Sequence, residues 1–466
     1  MLDFYNFEEQ FYSDYENNRD FRSKKINLSS FKYSANVSEH SLILINLQLI
    51  EKEISPNVFS HFIHAFGFAK CISKYNNDDT TRLILYVKKR NLYIAGNITT
   101  IADKCPWAWA SKCEWNSFHV SFMISSKIVE DISDVTIYNF HTSVKLDVTI
   151  KRSLNHKKKK DNLTICVPPL YWYDNFLQLF IFTEIWKLHG ASHFVYYYYS
   201  VSDDVMNLLK YYESKNILTI VPLKSLPKSN MVDPNRSIYR YGHLAAINDC
   251  LQKRNSRYAT VIDVDEFLYF NDSLYSNKKN FYQYIDEIFL TKEKLGGLLF
   301  SHHGLRIDTK HMKEDFKFLQ NSYMNTITGP KKYIIKPNRV DTVDSHRPIK
   351  YMNYTLKTMD FNDAFLLHSR FNWAHKNNKL DKKVRIISLD QIKQISDQYS
   401  KIRKKLNFIK DFNFQTNTLM IMNKCLSRWK KEGCKVPDDL CQKELSNVEN
   451  WIKSDDIDTN EHYYIL

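Results

Sequence analysis

Between residues 41 and 150, apolar and polar residues alternate in short runs, at 42–47, 83–88, 118–124, 135–138 and 144–150. Valine, isoleucine, tyrosine and phenylalanine fill the apolar positions, and polar clusters punctuate the runs. A period of two suits half-buried strands, so the pattern predicts a small β-rich domain over 39–150. Before it, residues 1–38 are polar without a sustained period and read as a loosely held N-terminal arm. After it, 151–161 contains Lys157, Lys158, Lys159 and Lys160 and reads as a basic, solvated linker.

The pattern changes at Asn162. An apolar strand at 163–167 leads into Pro168 and Pro169, and a helix is expected over 174–188. Leu177, Ile181, Ile185 and Leu188 share one of its faces, and Gly190 sits just past its end as a C-cap. A strand follows at 193–199. Ser202 is a good N-cap for a second helix, with Asp203 and Asp204 at its positive end. Val205, Leu208, Leu209 and Tyr212 keep its helical spacing. A strand at 218–221, a helix at 238–253 and a strand at 258–262 continue the alternation. Strands and helices alternating at this spacing predict a parallel α/β sheet, here within a domain over 162–380. Residues 381–466 are Lys-rich and predict a helical C-terminal region, with helices near 389–408, 415–431 and 440–453.

Composition narrows the chemistry. The chain has 466 residues, a formal net charge of +14, 43% hydrophobic and 25% charged residues, which is ordinary for a folded protein. Only 9 glycines are present. None is placed to form a dinucleotide fingerprint, a Walker A loop or a nucleophile elbow. Neither C-x-x-C nor H-E-x-x-H occurs, so zinc ribbons and zincin proteolysis lack their usual signatures. Residues 1–20 show no basic, apolar signal-peptide pattern. The longest apolar stretches, 42–50 and 176–182, are far short of the roughly 20 residues of a transmembrane helix. The 8 cysteines fit either four disulfides or eight thiols. Sequons at Asn27, Asn36, Asn97, Asn162, Asn235, Asn271 and Asn353 favour a lumenal protein, and the missing signal argues the other way.

The sharpest chemical signal is the apolar run at 258–262 that ends in Asp263, Asp265 and Glu266. In an open α/β sheet, ligands bind beyond the carboxyl ends of the strands. Carboxylates gathered there repel one another unless a cation lies between them. Oxygen ligands of this kind suit Mg²⁺ or Mn²⁺, whose remaining positions go to water and substrate phosphates. The D-x-D therefore reads as a clamp for a nucleoside diphosphate.

Several segments in order resemble glycosyltransferase family 92, a galactosyltransferase family. They are Cys166-Val-Pro-Pro-Leu-Tyr-Trp, the stretch from Phe182-Thr-Glu184 through Gly190-Ala-Ser-His-Phe to Tyr199, then Ala246-Ile-Asn-Asp249-Cys250-Leu. Ile262-Asp-Val-Asp-Glu-Phe, Lys332-Tyr-Ile-Ile-Lys-Pro337 and Leu367-His368-Ser-Arg370 follow. Upstream, Cys105-Pro-Trp-Ala-Trp and Cys113 resemble the family's cysteine-bearing β segment. The resemblance covers about 60–380. It implies a GT-A-like, Rossmann-type mixed sheet with a metal site, an inverting mechanism, a UDP-galactose donor and a glycan acceptor. It makes Asp265 the direct ligand of Mn²⁺ or Mg²⁺ and puts Asp263 on the metal or the ribose. His368 is the expected further ligand, with His346 the second choice. Arg370 is expected on the diphosphate, since a guanidinium suits phosphate geometry. Glu314 and Asp315 are the candidates for the base that an inverting transfer requires. The family also implies the secretory pathway, in the Golgi lumen or membrane, although no anchor is visible in this sequence. Two positions depart from the family pattern: His243 stands where Gln is expected and Ser369 where Tyr is expected.

Other readings compete. A non-catalytic member of the same fold would bind sugar or protein. A haloacid-dehalogenase-type phosphatase would use D-x-D as its nucleophile motif, but Phe267 occupies the position that needs Thr or Val. A nucleic-acid binder would use the positive charge, but no RNP-like or zinc-finger motif accompanies it.

Overall fold

A computed structural model of the chain describes residues 30–34, 36–71, 83–102, 104–152, 161–271, 273, 280–307, 312–351, 353–369, 382–407, 412–414, 416–427, 434, 437–457 and 463–466. Most of the expected N-terminal arm, the four linker lysines and Arg370 lie outside these residues.

The alternating N-terminal segment forms one antiparallel sheet. Its main strands are β1 (Ile43–Ser55), β2 (Val58–Lys70), β3 (Leu83–Val87), β4 (Leu92–Thr100), β5 (Trp115–Ile124), β6 (Asp134–Asn139) and β7 (Val144–Thr149), ordered β1-β2-β5-β4-β3-β6-β7. Ile63, Leu85, Ile98, Val120 and Ile137, from five strands, bury their side chains in one shared core. The chain's last residues join this sheet: Tyr464 and Ile465 pair with β1, and Leu466 is fully buried in its core.

The second sheet carries the site. Its strands are β8 (Asp161–Leu170), β9 (His193–Tyr198), β10 (Leu218–Pro222), β11 (Ser256–Val261), β12 (Glu266–Phe270), β13 (Leu295–Ile307), β14 (Ser322–Ile335) and β15 (Ala364–His368). Their spatial order is β10-β9-β8-β11-β14-β13-β15-β12. The first four run parallel, in the 3-2-1-4 order of a doubly wound fold. From β14 on the sheet is mixed: β14 lies antiparallel to β11 and β13, and β15 runs parallel to β13 but antiparallel to β12. The strand order reverses between β8 and β11, so their carboxyl ends frame a crevice.

Period-two alternation assigns both faces of this sheet. Ile165, Val167, Phe194 and Tyr196 face the helices α1 (Phe176–Leu188) and α2 (Asp203–Ser214). Cys166, Val195 and Tyr197 face α3 (His243–Lys253) and the outer side of the N-terminal sheet, through Phe66, Phe68 and Trp115. A helix α4 (Phe281–Thr291) covers β11 by stacking Phe289 on Tyr258, centroids 4.6 Å apart.

Several helices differ from expectation. The helix expected at 174–188 is buried nearly all round, because α5 (Leu389–Leu406) covers its outer side and sets Tyr399 against Phe180. The helix expected from 238 begins at His243, since Arg240, Tyr241 and Gly242 all adopt the left-handed conformation. A Cβ on Gly242 would meet the Phe68 ring at 2.3 Å, so this corner demands glycine twice over. In the tail, α6 (Asn417–Leu426) and α7 (Pro437–Leu445) are shorter than expected. Trp451–Lys453 is a strand paired with Ser200–Ser202, and Trp451 packs edge-on against Trp172. Packing of that half-buried indole on Trp172 overrides the local helical pattern.

All eight cysteines are paired, as Cys71–Cys105, Cys113–Cys434, Cys166–Cys250 and Cys425–Cys441. The second joins the N-terminal region to the tail, and the third ties β8 to α3 beneath the crevice. Of the sequons, Asn235 is internal: its amide donates to the Leu226 carbonyl at 2.9 Å and accepts from the Leu226 N–H at 2.7 Å.

Candidate active site

Asp263 and Asp265 occupy the turn between β11 and β12, at the mouth of the crevice. The turn is held from within: the Glu266 N–H donates to the Asp263 carbonyl at 3.0 Å, and the Asp263 N–H to the Glu266 carboxylate at 2.9 Å. Glu266 is the first residue of β12, and its carbonyl accepts the Trp186 indole N–H at 3.1 Å. Register then sets the neighbours. β12 and β15 pair Glu266 with His368, and β13 brings His302 beside β15.

Two kinds of nitrogen partner, imidazole and ammonium, meet the acids. His368 Nε2 lies 3.1 Å from Asp265 Oδ2, and His302 Nε2 lies 3.3 Å from Glu266 Oε1. The two imidazoles stack, with centroids 4.9 Å apart and planes 14° from parallel. Lys332, on β14 and wholly buried, places its ammonium 2.9 Å from Asp263 Oδ2 and 3.1 Å from Glu266 Oε2. Glu266, His302 and His368 each offer one ligand atom, all within 4.8 Å of one another. The side chains of Asp263 and Asp265 keep 38% and 24% exposure, so the acids on the turn face the solvent side of a buried base.

Proton affinities follow from this packing. Burial pushes Glu266 up to about 7, aided by Asp263 and Asp265 and opposed by Lys332 and His368. Burial also works against ionised Asp263, but the Lys332 charge and hydrogen bond outweigh it and hold the carboxyl well below its usual range. Burial alone would favour neutral Lys332, whereas its two carboxylate partners keep it protonated. His302 is pushed down to about 3 by burial, then by His368 and Lys332. A neutral imidazole is the metal-binding form. Glu266 and the two imidazoles, with Asp265 beside His368, offer the mixed oxygen and nitrogen donors that suit Mn²⁺ and related divalent ions.

The sequence-predicted residues divide into groups. Asp263, Asp265 and His368 come together within this cluster. Arg370 lies outside the described residues. Glu314 and Asp315 are exposed; Glu314 pairs with Arg403 of α5, and Asp315 with Lys317. His346 donates its backbone N–H to Asp344 at 2.6 Å and sets its ring 6.4 Å from that of Trp109. His243, in the Gln position, hydrogen-bonds Ser345 Oγ through Nε2 at 3.0 Å. Ser369, in the Tyr position, clamps the Asp265 carbonyl with its N–H at 2.8 Å and its hydroxyl at 3.1 Å.

Sequence alone assigns no role to Lys332 or His302. Lys332 opens one of the quoted motif segments, which was its only signal. His302 follows an apolar run on β13 and had none.

The sequence model of glycosyltransferase family 92 matches residues 161–403, just over half of the chain. A curated glycosyltransferase family 92 protein of Caenorhabditis elegans is 23% identical over 177 residues, covering 36% of this chain and 31% of its own length. The chain thus spans about a third of that relative. Among solved structures, the 1–349 fragment of S. aureus TarS matches at 13% identity and a TM-score of 0.27, over 62% of this chain and 83% of the fragment. The mannosyltransferase PcManGT from Pyrobaculum calidifontis, solved with GDP-Man and Mn²⁺, matches at 12% identity and a TM-score of 0.25, over 59% of this chain and 82% of its own.

Proposed function

The chain belongs to glycosyltransferase family 92, and from that premise we propose that it is a metal-dependent, inverting glycosyltransferase that moves galactose from UDP-galactose to a glycan hydroxyl. The observation that carries the reading is the convergence of Asp265, Glu266, His302 and His368 at the carboxyl end of a parallel sheet where its strand order reverses. Asp265 and His368 would hold the ion, with Glu266 and His302 behind them. A divalent cation bound there would stabilise the charge that develops on the departing diphosphate.

The chain's own residues do the rest. Lys332 holds Asp263 ionised and keeps the turn charged but compact. Ser369 fixes the Asp265 backbone, so that its carboxylate does not swing. Asp263 would take the ribose or a metal position, and Arg370 the diphosphate. Glu314 and Asp315 are the proposed proton acceptors, tested as Glu314→Gln and Asp315→Asn. The donor sugar and the inverting course rest on the family. Complete cysteine pairing supports an oxidising compartment, and with the family it supports the secretory pathway, in the Golgi lumen or membrane. No helix among the described residues is long and apolar enough to cross a membrane.

A second reading draws on Lys332. A buried ammonium between Asp263 and Glu266 already neutralises part of the acid cluster, which favours a non-catalytic member that binds sugar without turning it over. One experiment separates the two: UDP release from a panel of UDP-sugars with glycan acceptors and Mn²⁺, with and without chelator, on wild type and Asp265→Asn. Chelator-sensitive release from UDP-galactose, reduced at least 100-fold in the variant, is expected. Metal-dependent binding without release would support the second reading. Release that ignores both chelator and Asp265→Asn would overturn the metal assignment.

A further inference from the structure

We infer that Trp109, on a disulfide-anchored loop of the N-terminal region, is a stacking platform for a pyranose ring of the acceptor glycan. The inference rests on the transferase reading above and adds to it a recognition element that the nucleotide-binding sheet does not itself supply.

The loop is fastened at both ends. Cys105 is bonded to Cys71, and Cys113 to Cys434 of the tail. Between them, Ala108–Ala110 forms a tight turn closed by the Ala110 N–H to the Trp107 carbonyl at 2.8 Å, and Cys113 continues it onto Ala110 at 2.9 Å. Just beyond, the Trp115 N–H donates to the Ser237 carbonyl at 2.9 Å, which ties the loop to the segment entering α3. Trp107 is half-buried, edge-on to Tyr239 at 5.1 Å. Trp109, two residues on, is 72% exposed. A large apolar ring held in water on a constrained loop loses little conformational entropy when something covers it.

A line of contacts connects this ring to the acid cluster. The Trp109 ring lies 6.4 Å from the His346 ring, centroid to centroid. Ser345, next in sequence, accepts or donates a hydrogen bond to His243 Nε2. One residue further back, the Asp344 carbonyl accepts the Tyr333 hydroxyl at 2.8 Å, beside Lys332 on β14. These contacts link Trp109, on the side given by the N-terminal region, to the strand that carries Lys332.

The chemistry of the patch selects its occupant. Within its loop Trp109 is a lone exposed aromatic, among exposed Lys104, Lys112 and Glu114. A stable protein interface needs about 1,000 Å² or more of complementary surface, far beyond one indole. One indole does match one sugar ring. Its electron-rich face attracts the polarised C–H bonds on the less hydroxylated face of a pyranose, while hydroxyls at the ring edge find the imidazole of His346 and the flanking charges.

Saturation-transfer NMR tests this on wild type, Trp109→Ala and Trp109→Phe. The probes are the methyl glycosides of galactose, N-acetylglucosamine, mannose and fucose, with UDP-galactose plus Mn²⁺ measured separately. Thermal melts check that the exposed substitutions leave the fold intact. At least one glycoside should receive saturation at its ring C–H protons in wild type, keep half or more of it in Trp109→Phe, and lose it at least fivefold in Trp109→Ala. UDP-galactose signals should be equal in all three proteins. Equal glycoside saturation in Trp109→Ala, or none in wild type, would overturn the platform. Trp109-dependent glycoside binding in a protein that binds no UDP-sugar would uphold the platform while the transferase reading fell.

Discussion

Two of the clusters of buried charged side chains among the described residues are built on opposite rules. At the seam between the sheets, Arg339 grips Glu53 through Nε and Nη2, at 2.7 and 2.8 Å, and gives both N–H groups of Nη1 to the carbonyls of Glu293 and Leu295. Lys52 gives its ammonium to the carbonyls of Pro337 and Val340 and lies 4.0 Å from Asp341. Cations and carboxylates match in number there, and the geometry joins β1 to the loop after β14. At the crevice, three carboxylates share one lysine and two histidines, one of which burial drives neutral. A balanced cluster closes a joint, whereas one with surplus negative charge needs an added cation, access to water or an acid that keeps its proton, as Glu266 does up to about pH 7. Charge balance, not burial, distinguishes the two.

The largest effect should come from breaking the seam. Arg339→Met strands Glu53 in a buried place, and removing one partner of such a pair costs about 3–5 kcal/mol. Urea unfolding should show that loss, and the double variant Glu53→Leu/Arg339→Met should recover most of it. A single-variant loss below about 1 kcal/mol would mean the pair adds nothing to the joint.

Lys332→Met probes the other cluster. Without its ammonium, Asp263 and Glu266 face each other with no cation between them, and the expected loss in chelator is about 2–4 kcal/mol. Because an ion that binds only the folded state stabilises it, 1 mM Mn²⁺ should restore most of the melting temperature of Lys332→Met. It should leave the deficit of Arg339→Met unchanged. Equal responses of the two variants to Mn²⁺ would erase the distinction drawn between the clusters.

The seam also predicts a pH slope, small over each unit of pH. His64 and His119 touch through ring nitrogens at 3.1 Å, and Gln252 of α3 reaches His64 at 3.2 Å. Burial pushes His119 down to about 3, followed by the charges of Lys52 and Lys350. Burial and then His119 hold His64 well below its ordinary value. The unfolded chain binds these protons at about 6.5, so below that pH it gains protons the native state refuses. Stability should fall by up to about 1.4 kcal/mol per pH unit for each histidine as pH drops below 6.5. For His119 the loss should end near pH 3. Urea midpoints at pH 7.5 and 5.5 check this, and His119→Gln should halve the slope.

Much of the site was legible locally. An apolar strand that ends in Asp263, Asp265 and Glu266 marks a sheet edge and its chemistry in one decapeptide, and the resemblance added His368. His302 was not legible, because an imidazole on β13 looks the same in sequence whether it faces solvent or a carboxylate 36 residues upstream. Lys332 was hidden for the same reason: lysine is ordinarily an exposed residue, and only the closing of β14 against β11 buries it. Trp451 misled in the other direction, since a helical pattern gave way to pairing with Ser200–Ser202.

By itself the sequence determined what short-range physics can encode. That comprises the period-two runs of the N-terminal sheet, the strand–helix alternation after Asn162, the Ser202 cap and the acids at the end of β11. Tertiary structure alone decided which charges share a low-dielectric space. That depends on strand register, such as Glu266 opposite His368, and on the cysteine pairing that brings Cys434 to Cys113. Register is set by hydrogen bonds and packing between segments far apart in the chain, and no local pattern of residues specifies those partners.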